Sequence, residues 1–273
     1  MEIDENKLAS TLRHAIDHPH DQEMRDLLNG LRTIGMSNLR SSSLRLICTH
    51  LCEARQDVLV PGVEWLLKRI RDAGLPPSLP SYTGSLETLL FHDIASFSHT
   101  QLGRNTARCL YDLLEHLISL PQFESYPQQE RLKKYINDWL KKCQPLITAK
   151  DPIKPLPEYV VDIFLLPESN IVNELIFLRV VQCTELIFFC ASVLIERAVA
   201  LIRYADIVEA LVALHWAVCL TSLLTPLLRP LVCMNIDEWL EMRPYIAGTS
   251  ALQSTAFQKI VVEIHQLQRL FDH

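Results

Sequence analysis

The sequence predicts an all-α protein, a multi-helix bundle with an N-terminal helical region. Three observations predict it. Only 7 glycines occur in 273 residues, while Leu, Ala, Ile and Glu are abundant, a balance that favours helix over sheet. Apolar residues make up 49% of the chain and recur every three or four positions. Prolines gather where that spacing stops, at Pro76, Pro77 and Pro80 and again from Pro152 to Pro167.

Each element follows from local pattern. Asp4 can cap a first short helix through Leu12 and Ala15, and further helices are expected near 21–31 and 42–55. Pro61 and Gly62 open a fourth, with Val63, Leu66, Leu67 and Ile70 on one face; Gly74 ends it. The pattern resumes at Ser85 with Leu86, Leu89, Leu90, Ile94 and Phe97, and Gly103 is expected to break or bend it. Residues 108–120 and 128–143 read as two amphipathic helices. Residues 148–169 carry four prolines and few helical signals. They are expected to be a linker between an N-terminal helical region, 1–147, and a second half, 170–273. Beyond it lies a long apolar helix over 171–203, in which Glu174, Glu185 and Glu196 recur every eleven residues and share one stripe. An apolar helix over 206–228, a short helix near 237–242 and a loop around Gly248 follow. The last helix places Phe257, Ile260, Val261, Ile264 and Phe271 on one face.

Composition narrows the function classes. The net charge is −6 and Lys and Arg form no dominant patch, so nucleic acid is not an expected partner. Eight cysteines lie scattered with no disulfide-scaffold spacing and no secretory signal, which fits a reducing cytoplasm. Residues 210–228 hold no Asp, Glu, Lys or Arg, a length that could span a bilayer. His215 inside the run, Pro226 near its end and the lack of a flanking cationic cluster favour a buried bundle helix over a membrane span. No glycine-rich phosphate loop and no nucleophile-elbow pattern is present.

The candidate chemistry lies in the second half. Phe177, Val181, Thr184 and Phe188 follow a 4-3-4 spacing and form one helix face. Trp239 and Arg243 are four apart, and Arg243 precedes a loop with Thr249, Ser250 and Ser254. A guanidinium can grip a carboxylate through two parallel bonds, with hydroxyls and loop amides finishing the shell. The plainer alternative is a surface arginine paired with Glu238 or Glu241. Cys48, His50 and Cys52 look like a metal cluster on paper, but on a helix His50 points away from the two cysteines, so buried cysteines are expected. His92, His99 and His116 are a second possible metal or haem set, with solvated or hydrogen-bonded rings as the alternative. His215 is expected to be the most deeply placed histidine, and His265 lies between Ile264 and Leu267 on the last helix.

Two stretches carry a resemblance. One runs from Asn173 to Leu186, and the other comprises Met242-Arg243-Pro244-Tyr245-Ile246 with Thr249 to Ser254 and Phe257. Together they resemble the substrate-side half of the tryptophan 2,3-dioxygenase family of haem enzymes, through Glu174, Leu175, Phe177, Gln182, Glu185, Leu186, Arg243, Ser250, Gln253 and Ser254. The order of a helical region before this half looks like the wider haem-dependent aromatic oxygenase superfamily. The resemblance implies a dioxygenase-type helical fold, a haem cofactor, an oligomer, and an aromatic amino acid or derivative as substrate. Arg243 would bind its carboxylate; Phe177, Trp239 and Ile246 would enclose the ring; Ser250 and Ala251 would sit beside haem and substrate. The pattern also departs from the family. Its distal histidine falls at Val181, which can neither accept nor donate a proton. Its proximal haem histidine would lie beyond His273, so the iron ligand is expected from an unorthodox histidine, His215 or His265, or from a partner chain. The alternative implied by these departures is a non-catalytic scaffold without haem that binds a small molecule or serves as a subunit.

Overall fold

The computed structural model describes residues 10–11, 14, 22–39, 48–49, 61–73, 86, 94–147, 158–246 and 254–271, and the regular elements among them are all helical. In chain order the α-helices are α1 (Gln22–Ile34), α2 (Pro61–Arg71), α3 (His99–Ser119), α4 (Gln129–Ile147), α5 (Glu158–Ile163), α6 (Val172–Arg203), α7 (Ile207–Thr221), α8 (Leu224–Leu227), α9 (Ile236–Met242) and α10 (Thr255–Phe271). The all-α expectation is met. The first, third and early fifth expected helices, with Cys52, His50 and His92, fall largely outside the described residues.

The chain forms two compact units, and they interleave along the sequence. One comprises Met1–Gly84, Pro157–Leu178 and Asn235–Thr249; the other comprises Ser85–Leu156, Arg179–Met234 and Ser250–His273. These two units divide the chain differently from a single break at 148–169.

In the first unit, α1 turns Met24, Leu27, Leu28 and Leu31 inward and α2 turns Val63, Leu66, Leu67 and Ile70 inward, at the three- and four-residue spacing of an amphipathic helix. Between them runs the segment expected to be a linker. Residues 161–169 are all buried. A buried loop must find partners for its backbone polar groups, and this one does. The carbonyl of Leu165 accepts from Arg32 Nε at 2.9 Å, and that of Leu166 from Arg69 Nη2 at 3.4 Å. Pro167 accepts from Met36 N and Glu168 from Ser37 N, both at 2.8 Å. The amides of Glu168 and Ser169 both donate to the Glu174 carboxylate at 2.7 Å. Two buried ion pairs flank it, Arg32 with Asp162 and Arg69 with Glu168 at 2.5 Å. Gly35 is obligatory here. Its φ is +80°, and a Cβ would lie 2.3 Å from the backbone carbon of Ser169. Proline content signals an irregular backbone; it does not signal exposure.

In the second unit, α3 begins with a reciprocal cap. Ser98 Oγ accepts from Gln101 N at 3.2 Å and Gln101 Oε1 accepts from Ser98 N at 3.0 Å. Its buried row, Leu102, Leu110, Leu113, Leu114 and Leu117, meets the row Leu132, Ile136, Trp139, Leu140 and Cys143 of α4. Polar groups at the edges of this core find backbone carbonyls: Trp139 Nε1 donates to Leu223 O at 3.1 Å, and Tyr126 Oη donates to Cys233 O at 2.7 Å. Helix α10 runs along α6, tied by Ser254 Oγ donating to Glu185 Oε2, by the Phe188–Phe257 ring contact and by the Lys259–Glu196 ion pair.

Gly103 neither breaks nor bends α3, which runs through it from His99 to Ser119. It makes room for Trp216 instead. A Cβ at Gly103 would come within 2.2 Å of the indole ring. Gly103→Ala is expected to lower stability by about 2 kcal/mol, the cost of overpacking a tight contact, even though alanine favours helix more. Urea denaturation followed by circular dichroism checks it, and a stabilised variant contradicts it.

The helix expected to be buried over 206–228 is buried on one side only. Ala210, Ala213, Trp216, Ala217 and Leu220 face inward. Val208, Leu211, His215 and Val218 face outward and are exposed. Ala210, Ala213 and Ala217 let α7 approach α3 closely and Trp216 fits over Gly103, while Val208, Leu211 and Val218 are left outside.

Candidate functional site

In the first unit, α9 and the start of α6 bring two aromatic residues together. Asn235 caps α9, its side chain accepting from Asp237 N at 2.8 Å, and this fixes where the helix begins. Trp239 then meets Phe177 of α6 edge-on, with ring centroids 5.1 Å apart. Both rings are half-buried, so each keeps an accessible flank. Arg243 ends α9, its amide donating to Trp239 O at 3.0 Å, so it sits one turn beyond the tryptophan. Its side chain is exposed and makes no hydrogen bond or ion pair to a described residue, neither with Glu238 nor with Glu241. Ile246 is buried just after the turn. Val181 lies one turn after Phe177 on α6 and is buried. Ser250 and Ala251 lie outside the described residues.

The residues that carry the family-like motif have structural partners. Glu174 is fully buried and its carboxylate accepts from Glu168 N, Ser169 N and Ser169 Oγ. Gln182 Oε1 accepts from the buried Arg179 at 2.7 Å. Glu185 accepts from Ser254 Oγ at 2.6 Å, and the same oxygen of Ser254 accepts from Phe257 N and starts α10. These are scaffold bonds in each unit. The evenly spaced acids of α6 are thus three anchors in three surroundings: Glu174 buried, Glu185 half-buried, Glu196 exposed.

The histidines do not gather. His99 Nδ1 lies 3.2 Å from Glu209, and His116 Nδ1 lies 3.2 Å from Arg179 Nη2. His215 is exposed, not deeply placed, because it lies about 200° round α7 from the buried Ala213 and Ala217. Its Nε2 is 3.5 Å from Cys219 Sγ. His265 is exposed on α10, with Nδ1 3.2 Å from Gln268 Oε1. Among the described residues no group of three His, Cys, Asp or Glu side chains is placed to hold a metal ion. Burial pushes the Cys143 and Cys183 thiols up to about 12 and the Cys109 thiol higher still, so these are packing residues rather than nucleophiles.

His265 does line a cleft of about 720 Å³ with Arg203, Val262, Gln266, Arg269 and Leu270. Neither arginine makes an ion pair with a described residue. Sequence inspection missed this grouping, although Arg269 follows His265 by four residues and so shares its face. It also missed Arg32, Arg69 and Arg179 as buried groups. One signal was available for Arg69: it stands four residues after Trp65, and its guanidinium lies 5.7 Å from that ring.

A haem needs apolar surface against both faces of the macrocycle as well as an axial ligand. Among the described residues the apolar walls of the cleft at His265 are Val262 and Leu270, and His215 faces outward. The described surroundings of these two histidines thus supply little of the apolar wall that a macrocycle needs. No family model matches the chain, and no curated protein and no solved structure matches it.

Proposed function

We propose that this chain is a helical binding protein for an aromatic amino acid or related aromatic carboxylate, built on a scaffold of the tryptophan-dioxygenase kind but working without haem chemistry. One observation carries this reading. The motif positions that remain, Glu174, Gln182, Glu185 and Ser254, hold the scaffold together, whereas the position of the family's distal base is the buried Val181. Phe177 and Trp239 offer an aromatic edge for a ligand ring, and Arg243 offers, one turn away, a guanidinium unpaired among the described residues for its carboxylate. The oxygenase reading uses the same three residues and needs an iron ligand besides, and the histidines considered for it, His215 and His265, are both exposed.

Calorimetric titration of the full chain with tryptophan, tyrosine and anthranilate tests the proposal. Binding is expected, with Arg243→Ala weakening it about tenfold, a loss of about 1.4 kcal/mol at an exposed charge-assisted contact. Phe177→Ala is expected to weaken it comparably. Unchanged affinity in Arg243→Ala removes the carboxylate role. A stoichiometric Soret band after haem supplementation overturns the haem-free reading and restores the oxygenase.

A further inference from the structure

The stretch Ile207–Cys233 is the candidate membrane span among the described residues, long and apolar enough by length and composition, yet only a third of its most apolar window is buried. Its outer face is a stripe at three- and four-residue spacing: Val208, Leu211, His215 and Val218, continued by Ser222, Thr225 and Val232. Val208 is 71% exposed, Leu211 61%, Val218 66% and Val232 57%. A 4-3 alternation of this kind is the seam by which two helices pack side by side.

We propose that this face of α7 and α8 pairs with the same face of a second copy of the chain, antiparallel about a two-fold axis. Three observations favour that occupant over a membrane or an unlike protein. First, no Asp, Glu, Lys or Arg occurs over 210–228, so a two-fold axis near the middle of the stripe brings no like charges together. Second, the exposed ends differ in sign. Asp206 and Glu209, the latter also 3.2 Å from His99, outweigh Arg203 at the first end, and Arg229 marks the last. An antiparallel pair sets each copy's Arg229 towards the other's acidic end, while a parallel pair sets like against like. Third, a 27-residue helical stretch is roughly 40 Å long and 10 Å wide, hence about 400 Å² of face per copy and about 800 Å² in all, the size of a weak, reversible pairing rather than an obligate one. A bilayer fits the inner face poorly. There Trp216 Nε1 donates to Thr100 Oγ1 and Leu223 O accepts from Trp139, on helices that carry Arg104, Asp112, Glu115, Lys133 and Lys134. This inference stands apart from the ligand reading, since it involves none of Phe177, Trp239 or Arg243.

Sedimentation velocity of the full chain over a range of concentrations tests it. A concentration-dependent dimer is expected. Leu211→Glu with Val218→Glu should raise its dissociation constant on the order of a hundredfold, with the helical circular dichroism signal unchanged because both side chains lie outside the core. Arg229→Glu alone should weaken the dimer about tenfold, and adding Glu209→Arg should restore it. A monomer at every concentration overturns the proposal, as does a dimer indifferent to the double glutamate variant. Failure of Glu209→Arg to rescue Arg229→Glu overturns the antiparallel arrangement. Sedimentation of the monomer with lipid vesicles would identify a membrane as the true occupant.

Discussion

Asp162→Ala is expected to lower the stability of the first unit by about 3–5 kcal/mol, the cost of removing one partner from a buried ion pair. The Arg32 side chain is 1% exposed, and its guanidinium donates to Asn29, Asp162 and the carbonyl of Leu165. Burial lowers the pKa of Arg32 and the charge of Asp162 opposes that shift. Removing the carboxylate leaves a cation that is too basic to shed its proton near neutrality and too enclosed to be hydrated. Arg32→Met placed on the same background should recover part of the loss, because the uncompensated charge is then gone. Urea denaturation of the single and double variants measures both steps. A single variant within 1 kcal/mol of the parent (roughly the ceiling for a solvated pair) would mean that water replaces the carboxylate.

Glu174→Ala is expected to cost about 3 kcal/mol or more. Its carboxylate is the acceptor for three donors, Glu168 N, Ser169 N and Ser169 Oγ, at 2.6–2.7 Å. Each buried donor left without a partner costs about 1–3 kcal/mol. Glu174→Gln should cost less, since one carboxamide oxygen still accepts while the amino group faces a donor. Amide exchange at Glu168 and Ser169 gives the local readout and should speed up in Glu174→Ala. Unchanged exchange at both amides would show that they are held by something else.

How far the sequence discloses this molecule depends on which physical signal each element leaves. Helices such as α3 and α4 were legible because one face is apolar and the other charged, as with Leu110, Leu113 and Leu117 against Arg108, Asp112 and Glu115. The orientation of α7 was not. A helix apolar all round has no preferred side by hydropathy, and the choice fell to shape, with Ala210, Ala213 and Ala217 admitting close approach and Trp216 fitting over Gly103. Gly103 carries the same lesson. Glycine within a helical pattern signals either a break or a close approach, and only the position of Trp216 decides between them. The prolines of 148–169 correctly marked irregular backbone, but the burial of 161–169 rests on Arg32, Arg69 and Glu174, whose partners lie far away in sequence for the two arginines. At the candidate site, helical spacing placed Trp239 and Arg243 a turn apart. The meeting of Trp239 with Phe177 is a contact between distant segments that no local pattern encodes.

The buried segment at 161–169 also bears on how the protein is born. Arg32 and Asp162 are separated by 130 positions. At a synthesis rate of about 5–20 residues per second, α1 leaves the ribosome roughly 6 to 26 seconds before the stretch that neutralises it. Through that interval Met24, Leu28 and Leu31 have no native neighbour from the later segment, so the nascent chain is a natural client for a chaperone. A nonsense codon in the 148–157 region would yield not a folded half but a fragment whose arginines never meet their acceptors.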